Sequence, residues 1–176
     1  YCSNLQQIEI PDDSKLQTIE KEAFLFTLIE SINITSKLTE LEEGWCNITP
    51  NLTKIKISLN NPRYCLIDGK IVLGKKSIKS ENYEHLVFGV RNIEKISIPS
   101  FIERICSCAF CDCEQIQQIE FQNDSKLQTI GYYAFYMSSI KSLSIPSQVT
   151  KIEKWALAYC NQLRQIEFPI DSKLQE

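Results

Sequence analysis

The cysteines are the residues of this chain with the greatest capacity for chemistry, because four of the eight lie between positions 106 and 113. Such a cluster could bind zinc, but zinc sites usually space their thiols as C-x₂₋₄-C pairs separated by a longer loop, and many include histidine. The only histidine is His85, which is distant in the sequence. A metal site and a disulfide therefore stand as alternatives to a set of free thiols.

The spacing of three cysteines favours free thiols. Each stands three residues before a repeated apolar motif: Cys2, Cys113 and Cys160. Other repeats place Phe26, Val90 or Met137 at that offset. Cysteine is a small side chain that is often buried, so we expect mostly buried, unpaired thiols and no bound metal or cofactor.

A near match to a phosphate-binding loop runs from Gly69 to Lys75. The next residue is Lys76, whereas such loops need Ser or Thr there to hold magnesium. Asp68 and Gly69 also lie between two apolar runs, which is typical of a two-residue hairpin turn. We therefore predict a β-hairpin at this point rather than a nucleotide site.

Histidine and carboxylate catalysis also lack support. His85 lies beside the apolar residues LVF, which indicates a surface or half-buried strand position. No pair of carboxylates stands out as catalytic, since Glu9, Glu120 and Glu167 occupy equivalent outward positions on separate strands. The sequence predicts no catalytic residue, and we expect the protein not to be an enzyme.

Composition argues against nucleic-acid binding and against a membrane span in this segment. The chain has 19 Lys plus Arg against 22 Asp plus Glu, and a net charge of -3 gives no field for holding nucleic acid. No apolar run approaches the roughly 20 residues that cross a bilayer, so no membrane span is expected in this segment. The first ten residues lack the pattern of a signal peptide, so any export signal or anchor is expected to lie outside this segment.

One motif, aliphatic-x-x-aliphatic-x-apolar, organises the chain by recurring seven times. The copies begin at Leu5, Ile29, Leu52, Ile93, Ile116, Ile140 and Leu163. Successive starts are 24, 23, 41, 23, 24 and 23 residues apart. We expect residues 1–176 to be one solenoid fragment of about seven repeats, truncated at both ends.

The direction of alternate side chains predicts how each repeat folds and stacks on its neighbours. Residues two apart in a strand share a face, and stacking of repeats joins the inward positions into one parallel ladder. Its members are Ile8, Ile32, Ile55, Ile96, Ile119, Leu143 and Ile166. A second motif, as in LQTIEKEAF, predicts short helical or 3₁₀ turns behind the sheet, at residues 23–24, 109–110, 134–135 and 156–157. The expected class is an α/β repeat solenoid rather than a helical bundle.

The interval of 41 residues equals one repeat plus 18 inserted residues, and it contains Asp68 and Gly69. We expect residues 60–90 to include a β-hairpin insertion at one edge of the array. Because the repeat resumes in register at Ile93, the hairpin is predicted to be dispensable for folding but important for recognition, as inserts in solenoids often are.

Several motifs together resemble the BspA-like leucine-rich-repeat family, also called the Treponema-type repeat. They are the Ile-Pro pairs after the strands (Ile10-Pro11, Ile98-Pro99, Ile145-Pro146), the I-x₃-AF turn motif and the inserted NPRYCLIDG segment. The second motif departs from the pattern at residues 41–45, LEEGW. The resemblance covers nearly the whole chain and implies a surface protein that attaches to host tissue, extracellular matrix or other cells.

The outward face of the sheet is the candidate ligand face. Lys54, Lys56 and Lys95 are predicted to form a basic patch beside the insertion, suited to an acidic or sulfated partner. The remaining candidates are Glu120, Ser142, Ser144 and Glu167. The face lacks the aromatic and arginine side chains expected of a binding hot spot, so a simply solvated surface is the alternative.

Four glycosylation sequons occur, at Asn33, Asn47, Asn51 and Asn123, and they lean toward export. The leading hypothesis is a non-enzymatic module that binds protein or glycan at the cell surface or as a secreted protein. The alternative is an intracellular scaffold for a regulatory or cytoskeletal protein. The ligand and the oligomeric state are not specified by the sequence.

Overall fold

The computed structural model describes residues 2–174 and contains fourteen short strands within that range. Strands of the first ladder lie within the copies of the repeated motif: β2 (Ser31–Ile34), β4 (Lys54–Ile57), β8 (Lys95–Ile98), β10 (Gln118–Phe121), β12 (Ser142–Ser144) and β14 (Gln165–Glu167). Strands of the second ladder lie in the first half of the turn motif: β1 (Thr18–Ile19), β3 (Glu40–Leu41), β9 (Arg104–Ile105), β11 (Thr129–Ile130) and β13 (Lys151–Ile152). The insertion supplies β5 (Tyr64–Ile67), β6 (Ile71–Gly74) and β7 (His85–Gly89).

The predicted parallel pairing of the repeats is confirmed, with the predicted register. In the paired strands β2–β4, β8–β10 and β12–β14, Ile32 lies opposite Ile55, Ile96 opposite Ile119 and Leu143 opposite Ile166. The first ladder is divided into these three pairs rather than forming one continuous sheet. Ile8 and Ile166 lie in the first and last repeats and are only partly covered, so the ladder is less buried at its ends than at its centre.

The expectation of helical or 3₁₀ turns is wrong for residues 2–174, which contain no helix. Each turn segment instead has two residues with positive φ, four positions apart, such as Cys108 (61°) and Asp112 (56°). In this segment the Cys108, Phe110 and Asp112 amides donate to the next repeat at 2.7–3.0 Å, while the intervening amides close turns within their own segment. A helix would direct all amides along its own axis, so the alternating pattern replaces it.

The same turn segments correct one predicted alignment. The structural equivalents of Cys113 and Cys160 are Thr27 and Ser138, each directly after a positive-φ residue and each 2% exposed. Phe26 and Met137, the predicted equivalents, are about half exposed at 44% and 45%. The position therefore takes a small side chain: the Thr27 hydroxyl, for example, donates to the Phe24 carbonyl at 2.9 Å.

The insertion is part of the core rather than a peripheral excursion. Asp68 and Gly69, both with positive φ, turn the antiparallel hairpin β5–β6. β6 pairs with β7, and β7 pairs in parallel with β9, so the insertion extends the second ladder into a six-stranded sheet. Six of its apolar and aromatic side chains are almost wholly buried: Tyr64, Ile71, Val72, Leu73, Leu86 and Phe88. This packing argues against the expectation that the insertion is dispensable for folding, and the deletion described in the Discussion tests it.

Candidate functional site

The seven side chains predicted to form the ligand face are all solvent-exposed. They are Lys54, Lys56, Lys95, Glu120, Ser142, Ser144 and Glu167. The carboxylates are held by neighbours: Ser144 donates to Glu167 at 2.7 Å, and Gln118 donates to Glu120 at 2.6 Å. This half of the face therefore presents an ordered row of hydroxyl and carboxylate groups.

The repeat spacing predicts that Lys54, Lys56 and Lys95 lie on adjacent strands of one sheet, and the structure differs. Lys54 and Lys56 alternate on β4, and Lys95 lies on β8, but β4 and β8 belong to different sheets. Between them is a depression of about 420 Å³ whose lining includes Lys70, from the hairpin turn, together with Lys95. Sequence reasoning missed Lys70 because its place beside the face depends on the fold of the insertion. We name Lys54, Lys56, Lys70 and Lys95 the basic surface.

A more extended depression, of about 920 Å³, lies along the loops that follow β10, β12 and β14. Glu120 and Ser144 of the predicted face line it. Its other charged lining residues are Glu103, Asp124, Lys126, Asp171 and Lys173. The lining is mixed in charge and largely polar, so the depression suits polar contacts with an extended ligand better than enclosure of a small apolar molecule.

Four cysteines, Cys46, Cys108, Cys111 and Cys113, surround a buried arginine that sequence reasoning missed. Arg91 is 2% exposed, and its guanidinium donates to the Ala109 carbonyl at 3.1 Å and to the Cys46 and Cys108 carbonyls at 3.4 Å. It also lies 4.3 Å from the ring centroid of Phe88, close enough for a cation–π contact. The repeat with the insertion has no turn segment of its own, and Arg91 links the two segments on either side of it.

The thiols around Arg91 are protonated. Burial raises the pKa of Cys46 to about 12 and that of Cys113 to about 11, in spite of the nearby guanidinium. A hydrogen bond with Cys108, together with burial, also raises the pKa of Cys111. The thiolate is the form that attacks electrophiles and binds metals, so these cysteines are structural groups.

All eight cysteines are unpaired, and five of them are buried. Cys2 is exposed, which differs from its predicted burial. Within residues 2–174, no group of three or more His, Cys, Asp or Glu side chains is arranged to hold a metal ion. The same range has no helix that could span a membrane.

His85 lies half-buried at a junction between the insertion and the turn segments. A depression of about 420 Å³ there is lined by His85, Arg63, Tyr64 and Cys106. Burial lowers the pKa of His85, and the positive charge of Arg104 lowers it further. Burial also raises the pKa of Cys106 to about 12. A neutral imidazole beside a protonated thiol is not an activated nucleophile pair.

A partly exposed group of rings on the turn segments is the second feature that sequence reasoning missed. We name it the aromatic cluster, and its members are Tyr132, Tyr133, Tyr136, Trp155 and Tyr159. Neighbouring ring centroids are 4.0–6.5 Å apart. Trp155 is 45% exposed and Tyr159 61%, and the Lys154 ammonium lies 5.5 Å from the Trp155 centroid. The positive φ of Tyr133, Trp155 and Tyr159 turns these side chains outward.

The four sequon asparagines differ in accessibility. Asn51 and Asn123 are exposed. Asn33 is partly buried, and its amide nitrogen donates to Ile10 and Asp12 at 2.9 Å. Asn47 is 9% exposed, and its side-chain oxygen accepts a contact from the Cys111 thiol at 3.5 Å. A glycan at Asn47 would have to displace packed core groups.

The sequence matches the model of one known protein family over most of its length. The model of the BspA type leucine-rich repeat region matches residues 1–65 and 81–175 with six copies. The unmatched stretch lies within the insertion. A search of curated proteins gives no match.

Three solved structures share the fold. A leucine-rich repeat protein from Eubacterium ventriosum is 24% identical with a TM-score of 0.80, over 94% of this chain and 42% of that one. The pneumococcal vaccine antigen PcpA is 17% identical with a TM-score of 0.75, over 95% of this chain and 46% of that one. A leucine-rich cell surface protein from Faecalibacterium prausnitzii is 23% identical with a TM-score of 0.57, over 93% of this chain and 54% of that one. The chain therefore spans about half the length of these structures or less, and the likeness is one of fold.

Proposed function

The chain belongs to the BspA-type leucine-rich-repeat family, and from that premise we propose that it is a non-enzymatic module that binds protein ligands at a cell surface. Two of the proteins that share its fold are named as a vaccine antigen and as a cell surface protein, which supports a similar location here. Extracellular matrix or another cell surface would be the source of the ligand.

The aromatic cluster is the observation that carries this proposal. Tyrosine and tryptophan dominate protein-binding hot spots because they bury a large area and lose little rotational freedom. The interior beneath the turn segments contains other rings, those of Phe110 and Phe135, which are fully buried with centroids 5.4 Å apart. Neighbouring rings of the cluster are tilted by 40–69°, so they offer no single flat platform for sugar rings. A protein partner suits this relief better than a glycan.

The test is a pull-down from purified matrix proteins and from host-cell lysate, with identification of the captured proteins. Trp155→Ser with Tyr159→Ser should lose the main partner. Phe168→Ser removes an aromatic side chain that is 49% exposed and lies outside the cluster, so it should retain the partner. Equal capture by all three proteins would refute the role of the aromatic cluster.

The runner-up function is an intracellular scaffold for a regulatory or cytoskeletal protein. It is favoured by the eight unpaired cysteines, because thiols persist in reducing compartments whereas exported proteins tend to form disulfides. Antibody staining of intact and permeabilised cells discriminates the two locations. Staining of intact cells supports the surface module, and staining only after permeabilisation supports the scaffold.

A further inference from the structure

An apolar groove of about 420 Å³ lies where the insertion meets the loop after β8. Cys65 pairs with Leu73, and Ile67 pairs with Ile71, so these side chains share one face of the hairpin β5–β6. Cys65, Ile67 and Leu73 line the groove from that face, and Phe101 lines it from the loop. Phe101 is 46% exposed and Ile67 36%. Large apolar side chains exposed in a shared concavity are typical of a binding groove.

The rim of the groove is acidic. Glu81, Glu84 and Glu103 contribute three carboxylates against the single ammonium of Lys126. Among the ion pairs of residues 2–174, none involves any of these three carboxylates. The rim therefore carries a net negative charge that the protein leaves uncompensated by direct pairing.

We propose that this groove binds a cationic peptide segment of a partner protein. An apolar side chain of the segment packs against Ile67 and Phe101, and flanking Arg or Lys side chains pair with Glu81, Glu84 and Glu103. The charge complementarity selects this occupant over acidic peptides, sulfated polymers and anionic lipid surfaces, all of which the rim repels. The groove is formed by residues other than those of the aromatic cluster, so this proposal goes beyond the proposed function.

The test measures fluorescence anisotropy of a labelled probe peptide, Gly-Ser-Arg-Arg-Leu-Arg-Arg-Ser-Gly, with the 176-residue chain. The triple variant Glu81→Gln, Glu84→Gln and Glu103→Gln should bind about tenfold more weakly, because three charge contacts are lost. The variant Phe101→Ser should also bind more weakly. A probe with Ser in place of Leu should bind wild type less tightly, and a probe with Glu in place of Arg should not bind.

The matched control, Glu9→Gln with Glu30→Gln and Glu114→Gln, removes three exposed carboxylates elsewhere and should leave binding unchanged. Equal weakening by the control would show that only overall charge attracts the peptide, which overturns the proposal. So would an unchanged affinity in Phe101→Ser, or no binding by wild type. Circular dichroism melts of each variant show whether it is folded. The double variant Trp155→Ser and Tyr159→Ser should bind the probe as wild type does, so failure here is distinguishable from failure of the proposed function.

Discussion

A single buried arginine holds together the part of the solenoid where the repeat is interrupted. Guanidinium has five N–H donors in a planar fork, and Arg91 uses them to satisfy carbonyls of the two turn segments beside it, including those of Cys46 and Ala109. Its Nε has no partner within the described part of the chain. In sequence, an arginine at the end of an insertion resembles a surface residue, and nothing in the local pattern indicates that a turn segment is missing around it.

Replacement of Arg91 by Met should lower the free energy of unfolding by about 3 kcal/mol, because several buried carbonyls lose their donor at about 1–3 kcal/mol each while the cost of burying the charge is relieved. Arg91→Lys should also destabilise the protein, since a single ammonium cannot reach both turn segments. Urea denaturation followed by circular dichroism measures the change. Arg164→Met, at an exposed position, is the control, and a loss at Arg91 no larger than at Arg164 would contradict the bridging role.

His85 should make the protein less stable in mild acid. Burial holds its folded-state pKa below the ordinary value of 6.5, so the unfolded chain takes up a proton more readily than the folded one. The free energy of unfolding therefore falls as the pH drops through 6.5 and continues to fall until the pH is below the lowered pKa. His85→Gln should lose less thermal stability than wild type between about pH 7.5 and about pH 5. Identical losses in both proteins would show that His85 titrates alike in the two states.

At the scale of the element, the first ladder is the best-predicted part of the molecule. Alternate side chains of a strand point to opposite faces, so the alternating isoleucines alone predict which residues face the core. Ile55 and Ile119 do face the core, with 8% and 6% of their surface exposed. The turn segments were mispredicted because pairs such as Ala-Phe suit a helix equally well. Their positive φ values, at Tyr133 and Trp155 for example, arise from hydrogen bonding between repeats, which no local pattern reports.

The face assignment of the first ladder predicts unequal costs for two substitutions. Ile119→Ala should lower the free energy of unfolding by about 2–5 kcal/mol, because it leaves a cavity against Ile96 in the core. Ser144→Ala should change it by less than about 0.5 kcal/mol, since the side chain is exposed. Chemical denaturation of both variants provides the measurement, and similar losses would mean that the inward and outward faces are misassigned.

The insertion should prove necessary for folding. Replacement of residues 64–74 by a short Gly-Ser linker removes β5 and β6, which exposes β7 and the rings of Trp45 and Phe88, now 5.7 Å apart in the core. We expect the cooperative thermal transition to be lost or strongly lowered in calorimetry. Asp68→Asn with Lys70→Gln, which alters only the exposed hairpin turn, should melt close to wild type. A cooperative, wild-type-like transition in the linker variant would restore the original expectation that the hairpin is dispensable.

At the scale of the whole molecule, charge is arranged by surface even though the net charge is only -3. The basic surface lies beside the first ladder around β4, whereas Glu81, Glu84 and Glu103 line the groove on the insertion. The repeat spacing predicted Lys54, Lys56 and Lys95, but Lys70 lies beside Lys95 only because the hairpin turn reaches the gap between β4 and β8. A solenoid can thus present surfaces of opposite sign to different partners.

The basic surface should give the protein a measurable affinity for sulfated polymers at low salt. Lys54 and Lys56 are both exposed on one strand, so their ammonium groups can contact neighbouring sulfates of an extended chain, an attraction that falls as salt screens exposed charges. Wild type should be retained on a heparin column at about 50 mM salt and elute well below about 500 mM. Lys54→Glu with Lys56→Glu should elute earlier or pass through, while Lys151→Glu with Lys154→Glu, the same charge change at exposed positions on the turn side, should elute close to wild type. If both double variants elute together, net charge rather than the basic surface governs retention, and if wild type is not retained, the ligand of this face is not an acidic polymer.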